Sequence, residues 1–160
     1  MASYKRFNNL IKISLDDLYD GKANALLALK ENIYNVVEEE APLTLNTLKA
    51  RLREAFNVSK ISGKALDIIM QDIKELDLKI TDNLYDIVLW PKTGIFDILE
   101  LREGTERLIY DIPYQEMIIL AKDLNLHGEE LARAILSHFG LQVLTKKASL
   151  YLAFVEKKLG

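Results

Sequence analysis

A mainly α-helical protein, built from a winged-helix unit followed by a related three-helix unit, is predicted from three observations. Apolar residues recur at helical spacing over most of the chain. The stretch from Leu48 to Leu76 recurs from Leu131 to Leu159 without a gap, at an offset of 83 positions. After the third helix of the first copy the period switches from helical to two, as in a β-hairpin.

The repeat is carried by the apolar skeleton. Leu48 falls on Leu131, Leu52 on Ile135, Phe56 on Phe139, Ala65 on Ala148 and Ile69 on Leu152. Ser62 falls on Thr145 and Lys64 on Lys147. One fold unit used twice accounts for this correspondence.

At 160 residues, the chain is long enough for one good core or two small ones. A formal charge of −3 argues against strong non-specific nucleic-acid binding, which is driven by phosphate neutralisation, but leaves room for a local basic face. There is no Cys, which excludes disulfides and thiolate metal sites, and two His that the repeat keeps apart make a His-based metal site improbable. No apolar run approaches the ~20 residues that span a bilayer, and the N-terminus has no signal-peptide core, so the expected location is cytoplasmic.

Residues 1–23 read as an arm that packs on the first unit, with Ser14 and Asp17 as a capping pair for a short helix. Residues 24–91 form the winged-helix-like unit. Its first helix runs from about Asn24 to Glu39, with Leu26, Leu29, Ile33, Val36 and Val37 inward, and ends at Pro42. Glu38, Glu39 and Glu40 read as a solvated face. Thr44 caps the second helix, to Phe56, and Asn57 is its left-handed C-cap, a place that Gly140 takes in the second copy. Ser62 caps the third helix, to about Leu76. A hairpin through Leu78, Ile80, a turn at Asp82-Asn83, then Tyr85, Ile87 and Leu89 supplies the wing, closed by Trp90 as a core plug.

Residues 92–111 are a connector with a turn at Arg102-Glu103-Gly104-Thr105 and a candidate second hairpin. Residues 112–160 are the three-helix repeat, from Pro113 to Leu124, Gly128 to Phe139 and Thr145 to Leu159, which either lacks a wing or is cut off before it.

The candidate contacts are cationic. Lys49, Arg51, Arg53, Lys60 and Lys64 stand against one acid, Glu54, over the helix pair and loop that face DNA in a helix-turn-helix, and Lys146 and Lys147 follow in the second copy. Against them, Asp67, Gln71, Asp72 and Glu75 continue the outward face of the third helix, which leaves a solvated face as the competing reading. His127 reads as a cap or loop residue, and His138 has no carboxylate or nucleophile near it in its copy. The glycines are scattered and form no phosphate loop. No catalytic residue, metal, cofactor or small-molecule substrate is therefore assigned, and an enzyme is not expected.

The string from Glu38 to Ile73, with Leu89-Trp90-Pro91 beyond it, resembles a bacterial domain of unknown function, family 3320, found near the C-terminus of large superfamily-one helicase-like proteins, often beside nuclease-like segments. The residues that carry the resemblance are Glu40-Ala41-Pro42-Leu43, Leu48, Arg51, Ala55-Phe56, Lys60, Gly63 and Lys64. Asn57 departs from the family's Gly, and Lys60 and Lys64 from its Arg, keeping the charge but not the bidentate fork. The resemblance implies a non-catalytic accessory module of a DNA- or RNA-processing protein. Its partners would be duplex or single-stranded nucleic acid and the helicase or nuclease domains of a parent protein, the motor motifs being absent here. A protein–protein docking module without nucleic-acid contact is the alternative, favoured by the overall acidity; an apolar patch around Phe96 or Leu99 would support it.

Overall fold

The computed structural model describes residues 2–104 and 107–160. The chain is mainly helical, with small strands. In order the elements are β1 (Ala2–Ser3), α1 (Leu15–Tyr19), α2 (Ala23–Glu40), β2 (Leu43–Thr44), α3 (Leu45–Phe56), α4 (Gly63–Glu75), β3 (Lys79–Asp82), β4 (Ile87–Trp90), β5 (Arg102–Glu103), a 3₁₀ turn (Ile109–Asp111), α5 (Tyr114–Leu124), α6 (Gly128–His138) and α7 (Lys146–Leu159). No helix among the described residues is long and apolar enough to cross a membrane.

Two compact units result. The first comprises residues 5–81 and 88–95; the second takes residues 2–4, the hairpin turn 82–87, and 96–160.

In the first unit, α2, α3 and α4 pack around Leu29, Ile33, Val36, Val37, Leu48, Leu52, Ile69 and Ile73, all essentially without exposed surface. Ala25 rather than Leu26 completes the inward stripe of α2, because Leu26 falls at the rim, 37% exposed. A three-stranded sheet of order β2-β4-β3 closes this core, with Leu43 opposite Leu89 and Thr44 opposite Val88 in antiparallel register. Trp90 is fully buried, and its indole N–H donates to Thr81 Oγ1 at 2.9 Å, which satisfies the one polar atom of a large core side chain.

The expected solvated run of acids needs correction at Glu40. Its carboxylate is fully buried, accepting Arg51 Nε at 2.9 Å, Arg51 Nη2 at 2.8 Å and the Phe7 amide at 3.0 Å. A buried carboxylate is tolerated only when its lone pairs are filled, and a bidentate guanidinium fills them. The N-terminal arm lies along the same unit. Buried Asn32 receives the Ile11 amide at 2.8 Å and donates to its carbonyl at 2.9 Å, and the Ile13 amide reaches Ala55 O at 3.0 Å.

The second unit's core is formed by α5, α6 and α7 around Met117, Leu131, Ile135, Tyr151, Leu152 and Val155. Asn83, in the hairpin turn, is its polar hub. The side-chain amide donates to Tyr110 O at 3.2 Å and Tyr151 Oη at 3.2 Å, and its oxygen receives the Tyr114 amide at 2.8 Å. Burial pushes the Tyr151 hydroxyl well above the ordinary phenol range, so it remains a donor, bonded to Ile112 O. Among the described residues of the connector no hairpin is formed. β5 pairs in parallel with β1 instead, Ala2 opposite Arg102 and Ser3 opposite Glu103, so its partner comes from the start of the chain. Gly104 supplies a positive φ of 83° after it, and Thr105 of the expected turn lies outside the described residues.

Candidate nucleic-acid interface

The step from α3 to α4 is built by local hydrogen bonds at fixed positions. Thr44 Oγ1 accepts the Thr47 amide at 3.3 Å to start α3. Asn57 takes the left-handed conformation (φ 57°, ψ 49°), and the Val58 amide returns to Arg53 O at 3.0 Å, which ends the helix as the sequence predicts. Ser62 Oγ then accepts the Ala65 amide at 3.1 Å to start α4. The hydroxyl of Tyr19 pairs with Ser62 Oγ at 2.9 Å, and Lys64 Nζ lies 4.4 Å from the centre of the Tyr19 ring, so α1 steadies the first turn of α4.

The candidate cations separate on this frame. Lys60 in the loop and Lys64 at the start of α4 are exposed. Lys49 and Arg53, four residues apart on one face of α3, are half-buried. Arg51, expected among the phosphate contacts, is a correction: it is 9% exposed, and its fork is spent on Glu40. It lies on the apolar stripe with Leu48, Leu52 and Ala55, so the helix turns it inward.

The arm contributes two cations that a reading confined to the helices misses. Arg6 Nη2 lies 2.6 Å from Glu54 Oε2, and Lys12 Nζ donates to Glu54 O at 3.2 Å. Glu54, the one acid between Lys49 and Lys64, is thus paired. Only the basic composition of the arm hinted at this role.

The acids set against a phosphate surface also change. Asp72 is not on the outward face of α4 but 5% exposed, and its Oδ2 lacks a hydrogen-bond partner among the described residues. Burial raises its carboxyl to about 6, against a lowering by Lys30 and with a further raise from Glu75. Glu75 is held by Lys30 at 2.7 Å; that hydrogen bond lowers the carboxyl and raises the ammonium. Asp67 is left as the exposed acid of α4 without an ion-pair partner among the described residues, beside exposed Lys64, Gln71 and Lys74.

The second copy presents a different surface. Lys147 Nζ sits 4.4 Å from the Tyr110 ring centre and 5.1 Å from that of Tyr85, while Lys146 is exposed. Val143, the counterpart of Lys60, is 73% exposed, and Leu150, the counterpart of Asp67, is 51% exposed. His127 is the N-cap of α6 but makes no side-chain cap bond; the Gly128 amide donates to Glu156 Oε1 at 3.0 Å instead.

His138 meets a carboxylate from outside its copy: Glu103, brought from β5, contacts its Nε2. Pockets of about 240 and 220 Å³ flank the pair, one with Leu99, Leu120 and Asp123, the other with Arg102 and Arg107. Both arginines converge on Glu116, fully buried, at 2.8 Å each, and stack on Tyr4 at 4.6 and 4.5 Å. Burial alone would raise the Glu116 carboxyl, but the two guanidiniums outweigh it and hold it below the usual carboxylate range. This arrangement clamps β5 to α5. Among the described residues no three His, Asp or Glu side chains gather as a metal site would require.

No family model, curated protein or solved structure matches this chain.

Proposed function

We propose that the first unit is a winged helix that binds nucleic acid through Lys49, Arg53, Lys60 and Lys64, with Arg6 and Lys12 widening the basic face. The order α2-β2-α3-α4-β3-β4 with a β2-β4-β3 sheet supports this reading, since a winged helix has the same element order. The observation that carries the reading is the sorting of charge at that step. Lys60 and Lys64 are exposed, while three of the four acids that would oppose a phosphate are paired, at Glu54 and Glu75, or buried, at Asp72, which leaves Asp67 as the exposed acid beside them. The chain would then be a non-catalytic accessory module of a DNA- or RNA-processing protein, the role implied by its resemblance to the helicase-associated family.

Lys60→Glu combined with Lys64→Glu tests this. In a fluorescence-anisotropy titration at low salt the double variant should bind duplex or single-stranded DNA at least about tenfold more weakly than the wild type, because each lost phosphate contact also removes released counterions. Unchanged affinity would remove the α3–α4 step from the interface.

A second reading, docking onto a protein partner, is favoured by the connector. Leu99 is 83% exposed, Ile95 58% and Phe96 46%. An apolar dye that binds the wild type but not a Leu99→Ser/Phe96→Ser variant would favour it.

A further inference from the structure

Two helix faces outside the proposed interface remain without a role, and they complement one another. On α2, Leu27, Glu31, Tyr34 and Glu38 are all exposed, Leu27 at 67% and Tyr34 at 48%. On α7, Lys146, Leu150, Ala153 and Lys157 are all exposed. Each set follows the same i, i+4, i+7, i+11 spacing, so each forms one straight stripe about 16 Å long. One stripe is acidic and apolar, the other basic and apolar. None of Glu31, Glu38, Lys146 and Lys157 has an ion-pair partner among the described residues. The neighbouring charges, by contrast, are engaged: Lys30 with Glu75, Lys147 over Tyr85 and Tyr110, and Lys158 over Tyr114 and Phe154.

We infer that this protein self-associates, α2 of one copy packing antiparallel on α7 of another. In that register Lys146 meets Glu38, Leu150 meets Tyr34, Ala153 lies opposite Glu31 and Lys157 opposite Leu27, from where its long side chain reaches Glu31 one turn away. The placement of two of these charges supports a role outside their own helices. Lys146 is the first residue of α7 and Glu38 lies in the last turn of α2, each at the end of its helix where the dipole disfavours it. A partner of opposite charge offsets that cost; solvent alone does so less well. A nucleic acid would satisfy the lysines of α7 but would leave Leu150 and the acidic stripe of α2 unused. Because the faces differ, the contact is heterologous: it is made twice in a closed pair or repeats along an open array. A single helix pair is a small interface, so association should be weak and salt-sensitive, with Kd on the order of 10–100 µM at low salt.

Sedimentation of the full chain over a concentration series tests the inference. The wild type should rise above the 18.3 kDa of one copy at low salt and return to it as salt increases. Glu31→Lys with Glu38→Lys in one variant, and Lys146→Glu with Lys157→Glu in another, should each be monomeric with unchanged far-UV dichroism. Mixed in equal amounts, the two variants should associate at least about as tightly as the wild type, since each then offers the other opposite stripes. A wild type that stays at one copy's mass up to about 1 mM at low salt would overturn the inference. So would a mixture of the two variants that remains monomeric while the wild type associates through another face.

Discussion

The α3–α4 step of the first unit and the α6–α7 step of the second share a skeleton and differ in everything attached to it. Ser62 and Thr145 each cap a helix by accepting an alanine amide at 3.1 Å, and Asn57 and Gly140 both take a positive φ, 57° and 73°. Leu48, Leu52 and Ile69 are as buried as Leu131, Ile135 and Leu152. The polar clamps are not shared. Ala134 stands where Arg51 does and Asp123 where Glu40 does, and the second unit uses Glu116 with Arg102 and Arg107 instead. The outward faces diverge further, since Lys60 and Asp67 give way to Val143 and Leu150. A backbone motif can thus be kept by caps and core while its surface is free to take another partner.

The largest effects should come from the clamps. Arg51→Ala leaves the Glu40 carboxylate buried with its charge unpaired, and the first unit should lose about 3–5 kcal/mol in urea unfolding. Alanine at position 134 of the second copy is already tolerated, so a comparable loss there should follow Glu116→Ala, which strands two guanidiniums, rather than any change at Ala134.

Asp72 gives a smaller effect whose sign depends on pH. Its folded value is raised to about 6 from 3.8, so the folded state holds its proton more tightly. Stability from this group is complete below about pH 4, falls as pH rises towards 6, and stays low above it. Asp72→Asn should flatten that slope and raise stability at pH 7 by about 1–2 kcal/mol, measured by unfolding at pH 4, 6 and 7. A variant less stable than the wild type at pH 7 would mean that the carboxylate finds compensation the fold does not display.

The left-handed caps give the smallest effect and test the repeat itself. Gly140→Asn should cost a few tenths of a kcal/mol, and Asn57→Gly should gain a similar amount, because both positions ask for the same backbone conformation. Effects of unlike sign at the two sites, seen as opposite shifts in Tm, would support one motif used twice.

Much of this was legible in the sequence. Helix positions, the Ser14, Thr44 and Ser62 caps, the left-handed Asn57 and the buried Trp90 all follow from spacing and side-chain chemistry. The errors share one cause. Glu40, Arg51 and Asp72 were assigned to solvent by charge, although each lies three, four or seven residues from its inward neighbours: Val36 and Val37, Leu48, and Ala65 and Ile69. Position on the stripe outranked residue type, and a polar residue there should be read as buried and paired. Contacts between distant segments, such as Glu103 with His138 or Asn83 with Tyr114, carry no local signal at all. The candidate cations are visible in the sequence as a run, but which of them reach solvent is not.

The most direct test of the central claim compares the two copies in one assay. The salt dependence of DNA affinity should be measured for the wild type, for Lys60→Glu/Lys64→Glu, and for Lys146→Glu/Lys147→Glu. Loss of about two from the slope of log affinity against log salt in the first variant alone is the predicted result. Equal losses in both variants, or in neither, would contradict a nucleic-acid face confined to the first copy.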